Sequence, residues 1–373
     1  MFGFPTLVLD ARKAYDSGIG TYIRNLIPFL KQEFDLQLIG NKQSLEGFDC
    51  KVLALDSKTY SLADFYKPSV LAGPCDIFWT PHFNFPLYLP KAKLKVASIH
   101  DVYHLAHWQQ LSIPQKIYYK IFLGNLVKSA DLIFTISDFS KSEISHYYPS
   151  AASKLEMIHL GVDFQHFKTG ATPWLLQKAK EAYSLPDTFV LFVGNLKPNK
   201  NVMALLRAYH AICEADPAVD WKVIIVGKKD GFKIGDNEAI DFIHQNGLQD
   251  RVLFTGFVKE EDLPLVYQLA TLFVFPSLYE GFGLPPLEAI ACGCPVACST
   301  SASLPEVCQD HVHYFDGNDF LSLKMLLSQL MLDKSFRNSK TEAATSWVKK
   351  YDWSTTAERH IRALKDGLTG KKE

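Results

Sequence analysis

Short runs rich in Val, Ile, Leu and Phe recur along the chain, separated by amphipathic stretches of helical length, and this alternation most constrains the fold. In the first half the runs are Thr6–Arg12, Leu36–Gly40, Asp76–His82, Leu94–Val102, Asp131–Ser137 and Leu155–Leu160. In the second half they are Thr188–Gly194, Trp221–Lys228, Val252–Val258, Leu272–Ser277 and Pro295–Ser299. Runs that are apolar on both faces and alternate with helices predict parallel α/β sheets covered on each side. Thr21–Glu33, Asn201–Glu214, Glu238–Asn246 and Glu260–Ala270 read as the intervening helices. The series breaks near Gly161–Pro186 and restarts, which predicts two doubly wound domains, 1–163 and 164–352, joined near Gly161–Asp163. Two such halves lead us to expect a ligand cleft between them. Asp319–Leu368 has no strand pattern and reads as two or three helices, the last starting at Trp353 with Ser354 as its N-cap.

Composition narrows the function classes. The chain has 373 residues with a formal charge of −1, so no global basic field holds nucleic acid. Seven cysteines without a paired framework, and a start (MFGFPTLVLD) without a signal pattern, lead us to expect a reduced cytoplasmic protein. No apolar run reaches the roughly 18–20 residues that span a bilayer.

The most informative stretch is EGFGLPPLE, Glu280–Glu288, after the run Leu272–Ser277. Its glycines allow a tight turn, and its prolines pre-set a helix that we place at Pro286–Cys292. A strand, a glycine turn and a helix N-terminus together present N–H groups and a positive dipole end to an anion. Glu280 then sits at the strand end and Glu288 in the first helical turn, where it would accept hydrogen bonds from neutral hydroxyls such as a ribose. In VGNLKPNKN, Val193–Asn201, Lys200 is expected in a first helical turn, an unfavourable place for a cation unless an anion lies between it and the helix end.

Two further stretches lie in the first half. Gly18-Ile19-Gly20 is expected between the first strand and its helix, although Ile23 departs from the dinucleotide fingerprint. In SIHDVYHLAHW, His100 and Asp101 end an apolar strand, and His100 is placed to hydrogen-bond a substrate or carry a proton. His104 and His107 read as loop histidines, and Cys292, Cys294 and Cys298 as small buried hydrophobes rather than metal ligands. Trp108–Phe122 mixes aromatics with Lys116 and Lys120 and could face an acceptor or a membrane surface. Pro114 interrupts it, and a partly buried aromatic helix is the favoured reading. No Asp-x-Asp element, P-loop, G-x-S-x-G elbow or kinase signature is present.

Together these residues resemble retaining glycosyltransferase family 4, the nucleotide-sugar transferases of the GT-B double-Rossmann fold. GIGTYIRNL, SIHDV, TISDFSKSEI, HLGVDFQHF, VGNLKPNKN, SLPEV and above all Gly256–Ser299 carry the resemblance over nearly the whole chain. It implies an acceptor domain at 1–163, a donor domain at 164–352 and a final helix, 353–373, crossing back onto the first. It implies His100, Lys200 and Glu280 as catalytic residues, with Lys200 balancing the diphosphate and Glu280 on the donor sugar. Gly18, Gly20, Gly194, Asn199, Phe282, Gly283, Leu284 and Glu288 would bind the donor, Glu288 through the ribose hydroxyls. Asn195 and Asn199 stand where many relatives place an arginine, so either Lys197 compensates or the activity is weaker.

Relatives opening with a D-x-R strand and a GIG-Y loop are often mannosyltransferases of bacterial surface polysaccharide. The resemblance therefore implies GDP-mannose as donor, a growing glycan or lipid-linked saccharide as acceptor, and no metal or other cofactor. A cytoplasmic location is expected, with peripheral contact at the inner face of the cytoplasmic membrane as a further reading. A UDP-sugar-dependent glucosyl- or N-acetylglucosaminyltransferase, a nucleotide-sugar epimerase and a sugar-nucleotide-binding subunit without transfer activity are the alternative readings.

Overall fold

The computed structural model describes residues 3–57, 61–227 and 236–370. Lys228 and residues 371–373, which ended two of the expected elements, lie outside them. The chain divides into two compact units, Met1–Gly161 with Tyr351–Glu373, and Val162–Lys350.

The first unit is built on β1 (Thr6–Asp10), β2 (Asp35–Gly40), β3 (Lys51–Ala54), β4 (Cys75–Thr80), β5 (Ala92–Ser98), β6 (Leu132–Thr135) and β7 (Leu155–Met157). They form one parallel sheet in the order β3-β2-β1-β4-β5-β6-β7, the reversal beside β1 marking a doubly wound, Rossmann-like arrangement. The sheet is apolar on both faces because helices cover both: Val8, Phe78 and Ala97 lie within one buried cluster with Leu123, Leu126 and Val127 of the helix Ile113–Ser129.

The second unit carries β8 (Phe189–Val193), β9 (Lys222–Val226), β10 (Val252–Gly256), β11 (Leu272–Phe275), β12 (Val296–Ser299) and β13 (His313–Phe315). They pair in the order β10-β9-β8-β11-β12-β13, again all parallel. Val190, Phe192, Val223, Ile225 and Val274 pack there against Leu205, Leu206 and Tyr209 of the helix Val202–Ala215.

Several expected boundaries move, for local reasons. The first helix runs Ser17–Glu33 rather than from Thr21, because the open N–H groups of a first turn tolerate glycine and Asp16 enters in extended geometry. Gly18 and Gly20 therefore lie inside the helix. β3 and β13 were not anticipated: both are short edge strands, and KVLA and HYF lack the long apolar run of a central strand. Pro114 occupies the first turn of Ile113–Ser129, where no N–H is needed, so it starts that helix instead of interrupting it.

The tail forms four helices, Phe320–Leu332, Lys334–Asn338, Thr341–Trp347 and Trp353–Thr369, with Asp333 capping the second. Asp352, not Ser354, caps the last, its carboxylate accepting the Ser354 N–H at 2.6 Å. That last helix belongs to the first unit. Trp353, Thr356, Ala357, His360 and Leu364 form its buried stripe. Tyr22 donates to His360 Nε2 at 2.6 Å while Thr356 O accepts from Nδ1, and burial lowers His360 to about 3, so the imidazole is neutral.

Candidate active site

In the second unit two loops at the carboxyl ends of β8 and β11 are tied together. The β8 loop turns at Gly194, in a positive-φ conformation, and its N–H reaches Val226 O at 3.1 Å. Pro198–Lys200 form one 3-10 turn, and Asn201 follows at φ 52°, a left-handed conformation that asparagine tolerates. Lys200 therefore precedes the helix Val202–Ala215 instead of sitting in its first turn, because Asn201 breaks the helical path. Asn201 Nδ2 binds Pro276 O and Gly317 O at 3.2 and 2.9 Å. Asn199 donates Nδ2 to Tyr279 O at 3.1 Å, and its own backbone carbonyl accepts from Leu278 N.

This lacing brings two of the anticipated residues into contact. Lys200 Nζ lies 2.5 Å from Glu280 Oε1, with side chains 19 and 13 % exposed. Ser277 Oγ donates to the same carboxylate oxygen at 2.5 Å, and the lysine lies over the Phe275 ring. An ammonium carries three donors, so one lysine can hold a carboxylate and a further oxygen ligand together. Lys197 is exposed on the same loop, as is Asn195.

The turn after Glu280 is held by Ser303, whose single Oγ–H is shared between Glu280 O and Phe282 O, each at 2.9 Å. Gly283 has φ 101°, and a Cβ there would stand 2.6 Å from Leu304 Cδ2. Gly283→Ala should consequently cost about 1–3 kcal/mol, read as a lower urea midpoint for the second unit's transition. An unchanged midpoint would contradict the strain.

The helix begins at Leu284, two residues earlier than expected, with Pro285 and Pro286 in its first turn. Glu288 accordingly lies in the second turn, not the first. It is half-buried and accepts from Tyr267 at 3.4 Å. Burial outweighs that bond and pushes its carboxyl up to about 7. Hydroxyls donating to the carboxylate favour its charged form, so a ligand bound there through hydroxyls should release protons near neutral pH and bind less tightly as pH falls below about 7. Titration calorimetry in buffers of different ionisation enthalpy reads that release, and Glu288→Gln should abolish it.

The first unit carries the other anticipated residues. Gly20 donates to Asp16 O at 2.8 Å, and a Cβ on it would meet Ala14 O at 2.7 Å, so its own chain requires glycine. Around Gly18 there is open space. His100 is half-buried at the end of β5, with Nε2 on Pro81 O at 3.1 Å and its ring edge-on to Tyr22. Burial lowers it to about 4, so it is a neutral hydrogen-bonding group at pH 7. His104 stacks on Tyr119 and His107 on Tyr103. Cys292, Cys294 and Cys298 are buried.

Sequence reasoning passed over Tyr267, Ser277, Asn201 and Ser303, which position the anticipated side chains. Only Asn201 carried a local signal, as an asparagine directly before an apolar helix.

Comparison with known proteins decides the family. The model for Glycosyltransferase Family 4 matches residues 17–166, and that for Glycosyl transferases group 1 matches 176–347. The O-antigen chain mannosyltransferase B of Escherichia coli is 31 % identical over 291 residues, covering 78 % of this chain and 74 % of that one. The chain belongs to the group 1 and family 4 glycosyltransferases. The serotype-specific mannosyltransferase WbdA of Escherichia coli is 31 % identical over 245 residues, covering 65 % of this chain and 30 % of WbdA. In fold, the Anabaena HepE structure in complex with UDP-glucose superposes with a TM-score of 0.78 at 16 % identity, over 97 % of this glycosyltransferase and all of that chain.

Proposed function

We propose that this glycosyltransferase moves mannose from GDP-mannose to a hydroxyl of a growing glycan or lipid-linked saccharide, with retention and without a metal. The Lys200–Glu280 pair at 2.5 Å supports the reading most directly. It supplies a cation for the departing diphosphate beside a carboxylate for sugar hydroxyls, both on loops at strand carboxyl ends. The backbone N–H groups of Phe282, Gly283 and Leu284, at the start of a helix, add donors for the diphosphate. Glu288 takes the ribose hydroxyls. The mannosyltransferase names of the two Escherichia coli relatives support the sugar.

In the reaction the acceptor oxygen bonds to the anomeric carbon on the face that the phosphate leaves. The bond to the phosphate oxygen breaks, and the acceptor proton passes to that oxygen. Lys200 stabilises the charge that develops there, and Glu280 orients the hexose. His100, neutral and with its Nε2–H held by Pro81 O, offers Nδ1 as an acceptor for one sugar hydroxyl.

A thermal-shift screen with EDTA against GDP, UDP and their sugar conjugates tests the donor. At 100 times Kd a ligand adds about 2.7 kcal/mol, and GDP-mannose should give the largest shift. A larger shift with UDP-sugars would replace the donor. No shift with any nucleotide would remove the proposal.

A further inference from the structure

Next to His100 the first unit buries a chain of polar side chains where the contact of helix and sheet needs only apolar ones. Tyr22 of the first helix, Trp79 of β4, Ser98 of β5 and His360 of the last helix are each 1 % exposed or less. His360 Nδ1 donates to Thr356 O at 2.7 Å, and a carbonyl can only accept, so Nε2 of this neutral ring is an acceptor. Tyr22 donates to it at 2.6 Å. Trp79 Nε1 donates to Ser98 Oγ at 3.0 Å, and the Ser98 hydroxyl lies 3.4 Å from the Tyr22 oxygen, which closes the series.

Apolar side chains of the same shape would fill this space without the cost of burying four polar groups. A network whose members are all satisfied instead fixes one arrangement. Here it fixes the mount of His100. Trp79 and Ser98 stand two residues before Pro81 and His100, at the ends of the paired strands β4 and β5. Pro81 O in turn holds His100 Nε2 at 3.1 Å. The Tyr22 ring stands against the imidazole, with centroids 4.8 Å apart and planes at 88°. One tyrosine therefore touches His100 with its ring and the last helix with its hydroxyl.

We propose that Tyr22 and His360 are positioning residues for His100. His360 anchors the Tyr22 hydroxyl, and the anchored ring keeps the imidazole turned with Nε2 on Pro81 O and Nδ1 free for the sugar. Neither residue exchanges a proton with substrate, so both act through His100. The effect on transfer rests on the role proposed above for His100, whereas the effect on the imidazole does not.

Nitrogen-15 histidine NMR of the full chain, together with kinetics, tests this. The His100 signals are those missing from His100→Ala. In the parent, burial keeps that ring neutral down to about pH 4, with its proton on Nε2. Asp101, His82 and Lys13 also face His100, and Arg359 faces His360; all stay in place in the variants. Tyr22→Phe with His360→Leu replaces donor and acceptor together by apolar groups, so the fold should survive, read as a cooperative melt. His100 should then show both tautomers and a midpoint raised towards the ordinary 6.5. For transfer, kcat should fall about tenfold while donor Kd changes less than twofold. His360→Gln, which keeps an acceptor for Tyr22, should retain most of kcat.

Tyr22→Phe alone keeps the ring and should show the same tautomer change if the double variant does not fold. In a His100→Ala background the double substitution should cost less than twofold, since its route to the sugar is gone. The proposal is overturned by a folded double variant whose His100 keeps the parent's tautomer and midpoint. A tenfold loss that persists without His100 would make the pair merely structural and overturn it too. A parent that transfers no sugar removes the reaction proposed above, and the NMR comparison still decides the positioning.

Discussion

Glu280→Ala should lower kcat about 10²–10³-fold while donor affinity changes less than tenfold. The carboxylate is held by Lys200 and Ser277, each at 2.5 Å, and its backbone carbonyl is held by Ser303. So fixed a group costs little reorganisation when a sugar arrives, and in the proposed reaction it orients the hexose through the transition state. Truncation also leaves Lys200 without its carboxylate. Glu280→Gln separates the two effects, because the amide keeps the shape and an oxygen for Ser277 but lacks the charge. It should fall between alanine and the parent. Single-turnover kinetics with donor binding measured separately read the split, and an alanine variant with parental kcat would remove Glu280 from the reacting centre.

Lys200→Ala should act on both sides of the same pair. Loss of the cation should reduce kcat/KM by about 10²–10³-fold and weaken nucleoside diphosphate binding as well, because the diphosphate is charged before and after the bond breaks. Lys200→Arg should restore only part: the planar guanidinium presents a fixed fork, whereas the ammonium fits over Phe275 with a donor on Glu280. The Asn195 and Asn199 positions enlarge the expected loss. Asn199 is spent on Tyr279 O and the exposed Lys197 is solvated, so Lys200 carries most of the loop's charge. A Lys200→Ala enzyme that bound GDP as the parent does would contradict this.

What the sequence disclosed divides along physical lines. Central strands such as FVLFV at β8 and LFVF at β11 are buried on both faces, and nothing except a covered parallel sheet accommodates such runs. Edge strands β3 and β13 are marginally apolar, and only the neighbour that pairs with them makes them strands. In the candidate site, EGFGLPPLE announced a turn and a helix start because glycine and proline act through their own backbone. The helix start was placed two residues late, since prolines are tolerated throughout a first turn, and Glu288 moved one turn inward as a result. Its partner Tyr267 was not legible, because a contact 21 residues apart is created by packing. Lys200 and Glu280 could each be named from local pattern, whereas their pairing across 80 residues is a property of the parallel sheet that puts β8 beside β11.

The central claim is tested most directly by following purified protein with GDP-mannose, EDTA and a mannose-ended oligosaccharide by proton NMR. Release of GDP matched by a new α-mannosidic linkage is expected, with both signals appearing about 10²–10³-fold more slowly for the Lys200→Ala enzyme. A β linkage would contradict retention, an epimerised donor would indicate an isomerase, and a bound but unchanged donor would contradict transfer itself.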